Sequence, residues 1–126
     1  MKKYLCLAYY DERKFEALSP DAVRALVEQC PPRDAELHAT GRLLLVASLG
    51  ASRESVALRP NEGRARVTDG PFAETKEMIG SFFVIEAADR DEAVAIASKH
   101  PAAQLGEHVG WGVEVRPIEY WFAATA

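Results

Sequence analysis

Side chains able to move protons or hold anions gather at four places in this chain. The first is V-T-D-G-P-F-A-E-T-K-E, residues 67–77, which carries Asp69 and Lys76. A carboxylate at the mouth of a pocket can act as a general base or accept a ligand's hydrogen bonds, and a nearby lysine can hold an anion. The same residues have a plain structural use. Asp and Gly form turns, Pro71 fixes its own φ, and charges on a hairpin pair across strands. The second place is His100, at the end of an apolar helical stripe, as base or ligand contact. The third is Glu107-His108, where an adjacent acid and imidazole suit proton transfer or an ordinary surface loop. The fourth is V-E-V-R, residues 113–116. Strand alternation puts Glu114 and Arg116 on one face and the two valines on the other. Arg116 suits a carboxylate ligand, and the pair equally suits an interface, where burial demands full pairing.

His38, near the end of the first long helix, reads as an exposed C-terminal cap. Phe72 reads as a plug for the core or for a subunit interface. Three histidines without ligand spacing argue against a metal site. No Gly-rich phosphate loop, nucleophile elbow or dinucleotide fingerprint occurs, so any chemistry is expected to need no cofactor.

These residues must be placed by regular elements. K-Y-L-C-L-A-Y-Y, residues 3–10, lacks polar alternation and predicts a strand buried on both faces. D-E-R-K-F-E-A-L-S-P predicts a loop ending in a Ser19 cap with Pro20 at the first helical position. Helix is expected over residues 20–40, broken or kinked at Pro31-Pro32 and stopped by Gly41. Strands follow at 43–49, 54–59, 65–68 and 81–87, with a turn at P-N-E-G, and Asp69 to Glu77 is expected to connect two strands adjacent in the sheet. Asp89 and Glu92 form a capping box for a second helix, 89–100, which Pro101 should stop. A long loop then leads to a last strand, 111–121.

The fold class is therefore α+β, with a ferredoxin-like split β-α-β sandwich as its natural form. Phe82/Val84 and Phe83/Ile85 point to opposite faces of their strand, yet both pairs are apolar. Two helices cover one face of such a sheet. A second copy of the chain is the expected cover for the other, giving a homodimer.

The 126 residues favour one domain, 1–126, and the formal charge of −4 gives no electrostatic case for nucleic acid. Cys6 and Cys30 make neither a disulfide framework nor a zinc site and read as free thiols in a reducing compartment. The opening M-K-K-Y-L-C-L-A-Y-Y-D-E imitates a secretion signal, but acids follow the short apolar run at once, so a first strand is the better reading. No membrane partner is expected, and the cytoplasm is the expected location.

The run V-T-D-G-P-F-A-E-T-K-E followed by G-S-F-F-V-I-E-A resembles the DGPF group of the YCII-related family. The opening K-Y-L-C-L-A-Y-Y-D-E and closing G-W-G-V-E-V-R-P-I-E-Y-W look like the same group, so the resemblance spans essentially the whole chain. It implies a ferredoxin-like fold paired into a dimeric α/β-barrel-like assembly. It further implies relatives proposed as enzymes with a His–Asp pair, one of them a dehydrochlorinase acting on a chlorinated aromatic. Genes of the group often neighbour extracytoplasmic-function sigma factors. By spacing, Cys30 stands where the family has its histidine, and His100-Pro101 stands at its Asp-Pro.

Two functions follow as expectations. One is a cofactor-free enzyme doing proton-transfer chemistry on a small anionic or aromatic molecule in a cleft at the dimer interface. Asp69 or His100 would be the base, Arg116 or Lys76 the anion anchor, and Glu114 and His108 further ligand contacts. Asp69, His100 and Arg116 are expected around that one cleft. The alternative is a non-catalytic ligand-binding or adaptor module working with a sigma factor.

Overall fold

The computed structural model describes residues 1–124. Its main body is a four-stranded sheet in the order β2-β5-β1-β6, antiparallel at every pairing. The strands are β1 (Lys2–Asp11), β2 (Leu43–Ser48), β5 (Glu77–Ala87) and β6 (Gly112–Pro117). Strands β3 (Val56–Asn61) and β4 (Arg64–Asp69) pair only with each other. The chain is thus α+β, and the order of the four main strands is consistent with a ferredoxin-like fold.

Between β1 and β2 lie α1 (Glu12–Glu16), α2 (Pro20–Val27) and α3 (Cys30–Ala39). The segment expected as a loop begins with α1, because the Asp11 carboxylate accepts from the Lys14 amide and caps it. Ser19 caps α2 as expected, accepting from Ala22 N–H at 3.1 Å, with Pro20 in the first turn. The break expected at Pro31-Pro32 falls just before them. Both prolines occupy the first turn of α3, where a missing N–H leaves no bond unmade. Gly41, at φ 70°, ends that helix.

After β5, Asp89 caps α4 (Arg90–Ala97) by accepting from Glu92 N–H at 2.9 Å. Glu92 reaches back to the Ala88 amide and forms an ion pair with Arg42 at the start of β2. The second helix is shorter than expected. Pro101, instead of stopping a helix, starts α5 (Pro101–Gln104), and the expected loop is replaced by α5 and a 3₁₀ turn, Glu107–Val109. The last strand ends at Pro117 rather than residue 121.

The core lies between the helices and one face of the sheet. Tyr4, Cys6, Phe83 and Ile85 meet Leu37 of α3 and Ala93, Ile96 and Ala97 of α4, with Val113 and Val115 packed alongside. The alternate residues form the other face: Lys3, Leu5 and Leu7 of β1, Phe82, Val84 and Glu86 of β5, and Glu114 and Arg116 of β6. Val84 is buried there, while Leu5, Leu7 and Phe82 are half-buried. Lys3 pairs with Glu86 across the strands at 4.0 Å. Both faces of β1 and β5 are apolar, as the sequence suggests, but the helices close only one.

The segment from Asp69 to Glu77 does not join neighbouring strands, contrary to expectation. It leads from the β3–β4 ribbon into the central strand β5 of the other sheet. The turn is made by Gly70, at φ 99°, whose amide donates to Ser55 O at 2.7 Å. Phe72 is no core plug. Its ring is 62 % exposed and lies 3.9 Å from the Arg59 guanidinium, which also donates to the Phe72 carbonyl.

Candidate functional site

A cleft of about 580 Å³ opens on the helix-covered side, between α3 and the β2–β5–β1 end of the sheet. Cys30, Asp34, Tyr10, Ser81, Trp111 and His100 are among the residues lining it. His100 is the buried polar residue there, 8 % exposed. Its place follows from the chain just before it. Helix α4 ends at Ala97, the backbone turns extended at His100, and Pro101 enters α5. The imidazole caps this short helix, with Nδ1 accepting from Ala102 N–H at 3.0 Å. Its ring stacks on Phe83, centroids 4.5 Å apart and planes 5° from parallel.

That cap decides the tautomer. A neutral imidazole has one donor and one acceptor nitrogen. Nδ1 is the acceptor here, so the proton sits on Nε2. Burial holds the His100 pKa below its ordinary 6.5, and the Asp34 carboxylate opposes the shift in part. The neutral form is the resident one at neutral pH. Among the described residues Nε2 has no hydrogen-bond partner, and none of their fully buried side-chain polar atoms is unpartnered. Nε2–H therefore meets open space. The sequence places His100 at a helix C-terminus, where a positive charge is welcome. The structure places it at a helix start, where the cap requires an unprotonated Nδ1.

Two walls of the cleft are fixed by groups that no local spacing reveals. The Tyr10 hydroxyl donates to Glu12 Oε2 at 2.8 Å. Ser52 donates its amide to the same oxygen at 3.0 Å and its hydroxyl to Oε1. The Ser52 hydroxyl and amide, together with Tyr10, hold the Glu12 carboxyl below its usual range. Burial first, and then the bond to Glu12, push the Tyr10 hydroxyl up to about 12. Glu12 and Ser52 are 40 residues apart in the chain, so only the fold brings them together. On the other side, Gly106 at φ 73° lies under Trp111, and a Cβ there would collide with the indole. Cys30 Sγ donates weakly to Leu26 O at 3.7 Å, and burial raises its thiol pKa.

The other candidates lie elsewhere. Asp69 ends β4, exposed, and its carboxylate makes no hydrogen bond to the other described residues; the turn relies on Gly70 instead. Lys76 lines a separate groove of about 740 Å³ with Arg13, Lys14 and Arg53, among the carboxylates of Glu12 and Glu74. His108 is exposed on the 3₁₀ turn, with no bond to Glu107. Glu114 and Arg116 lie 3.7 Å apart on the open sheet face, half or more exposed. His38 is exposed in the last turn of α3, as expected, and lies at the rim of the His100 cleft. Within one chain, then, His100 lines the cleft, while Asp69 and Arg116 do not. Asp34, at the wall beside His100, is the carboxylate that sequence reasoning missed. Its signal is the helical spacing from Cys30, one turn earlier on α3.

The YCII-related domain model matches residues 2–121. An uncharacterized protein of Rhizobium meliloti (strain 1021) is 34 % identical over 115 residues, covering 91 % of this chain and 90 % of that protein. The chain belongs to the YCII-related family.

Proposed function

We propose that this protein binds a small carbonyl-bearing or anionic molecule in the His100 cleft and acts on it by proton transfer without a cofactor. The observation that carries the reading is the fixed tautomer of His100. A buried, neutral imidazole with Nδ1 tied to a backbone amide presents Nε2–H as a preoriented donor. Such a donor stabilises negative charge developing on a carbonyl oxygen. His100 is then an electrophile rather than the base: Nε2 already holds a proton, and Nδ1 is engaged. The base in this arrangement is Asp34, on the same cleft wall. Asp69 is not part of the cleft within one chain and enters only through an assembly.

The assembly in this reading is a homodimer through the open sheet face, for which the half-buried Leu5, Leu7 and Phe82 speak. The unpaired Cys6 and Cys30 accord with a reducing, cytoplasmic setting. No helix among the described residues is long and apolar enough to cross a membrane. The adaptor reading, with a sigma factor as partner, draws on the exposed apolar side chains of the β3–β4 ribbon.

Nitrogen NMR of the imidazole is the test. The expected signals are those of a neutral ring protonated at Nε2 at pH 7, and they shift when a panel of small ketones and carboxylates contains a binder. Trp111 fluorescence reports the same binding. His100→Asn keeps an acceptor for the Ala102 amide but removes the Nε2 donor, and it should lose the binder while melting normally. A ring protonated at Nδ1, or full binding by the Asn variant, would overturn the proposal.

A further inference from the structure

The β3–β4 ribbon is incomplete in a single chain. Its register pairs Val56 with Asp69, Leu58 with Val67 and Pro60 with Ala65, so these six side chains share one face. Val56 and Leu58 are each 58 % exposed and Val67 is 63 % exposed. Arg59, Arg64 and Arg66 share the other face, with Arg59 directly opposite Arg66. A two-stranded ribbon is marginal in water by itself, and one bearing three large apolar side chains in solvent needs a cover.

The open face of the main sheet has the complementary make-up. Leu45, Val84, Leu5 and Leu7 cross it from β2 to β1, and Leu5 is paired with Arg116 at its β6 edge. Among the described residues Arg116 forms one ion pair, with Glu114 at 3.7 Å, and its side chain is 68 % exposed. Among the described residues, the ribbon's apolar face ends in one carboxylate without an ion-pair partner, Asp69, and the sheet's apolar face ends in one largely exposed guanidinium. One surface is apolar with Asp69 at its end, and the other is apolar with Arg116 at its edge. Both belong to the same chain, so a two-fold axis satisfies the match twice.

We propose that the β3–β4 ribbon of each copy lies across the open sheet face of a second copy, apolar side down, with Asp69 paired to Arg116 of the partner subunit. This rests on the homodimer reading above and names what forms it. The arginines of Arg59, Arg64 and Arg66 stay outward. The arrangement brings Asp69 and Arg116 together across the dimer, and leaves the His100 cleft intact within each chain.

Charge reversal tests the pairing. Asp69→Arg and Arg116→Asp should each weaken the dimer about tenfold or more in analytical ultracentrifugation. The double reversal should restore it, a rescue that misfolding cannot produce. Leu58→Asp with Val67→Asp should give a monomer whose far-UV spectrum is that of the parent. A dimer unaffected by either single reversal overturns the Asp69–Arg116 contact. A dimer that survives the two aspartates on the ribbon overturns ribbon docking, even where the dimer reading stands. A wild-type monomer at micromolar concentration overturns both, and hands the ribbon to another kind of partner. The His100 cleft is read separately, by the imidazole nitrogen signals, which none of these variants should move.

Discussion

The cleft side and the ribbon side of this molecule are built on opposite terms. Around His100, an imidazole is stacked on Phe83, tied to an amide and closed in by α3. On the ribbon, Val56, Leu58 and Val67 stand in solvent with hydrogen bonds only to each other's strand. The first region is finished by its own chain. The second is finished only by something added. Stability should therefore be sensitive to changes near the cleft, and association to changes on the ribbon.

The largest expected effect is at Phe83, which has no exposed surface. Phe83→Ala should cost about 3–5 kcal/mol in urea denaturation, and it removes the ring on which His100 stacks. A loss under 1 kcal/mol would mean the cleft side is not the rigid half. Gly106→Ala comes next, at roughly 2–4 kcal/mol, since it adds a left-handed backbone cost to a collision with Trp111. Altered Trp fluorescence should accompany it. Gly70→Ala, at the root of the ribbon, should cost about 1–2 kcal/mol for the backbone alone, because a Cβ there meets nothing within 4 Å. Equal losses at Gly70 and Gly106 would erase the contrast between an open turn and a packed one.

Acid should act on the cleft side first. The folded pKa of His100 is depressed, so below 6.5 the unfolded chain takes up a proton that the folded chain resists. Stability then falls as pH falls beneath 6.5 until the folded imidazole also protonates. Glu12 adds a second loss beneath its ordinary 4.5, where its bonds to Ser52 need the carboxylate. Melting temperatures across this range should show the first step, and His100→Asn should remove it. The smallest effect belongs to the ribbon face. Leu58→Ser should change monomer stability by no more than about 0.5 kcal/mol, measured at a dilution where dimers are absent, while association weakens.

Which parts were legible follows from the range of the interaction that decides each one. Ser19 and Asp89 mark helix starts through contacts three residues away, and Pro20 does so through its fixed φ; all three read correctly from the chain. The two-sided apolar character of β1 and β5 is likewise written in the unbroken apolar runs of residues 4–9 and 82–85. Helix α1 was missed because its cap, Asp11, also ends a strand. His100 was noticed, but its role was not, because Pro101 suits the end of one helix and the start of another equally well. The expected link between neighbouring strands at Asp69 failed for a different reason. Strand length and turn residues do not say which sheet a ribbon joins. The Tyr10–Glu12–Ser52 cluster was beyond reach, since one partner comes from a turn 40 residues away.

The two thiols described above now acquire a practical meaning. Cys6 has no exposed surface and a pKa pushed up to about 12, so almost none of it is thiolate at neutral pH. Cys30 is partly exposed on the cleft wall, with a pKa raised by less complete burial. A maleimide should therefore label one position per chain, slowly, and that position looks into the cleft. The labelling rate becomes a clock for occupancy: any molecule seated beside His100 shields Cys30 and stops it, whatever reaction the protein performs.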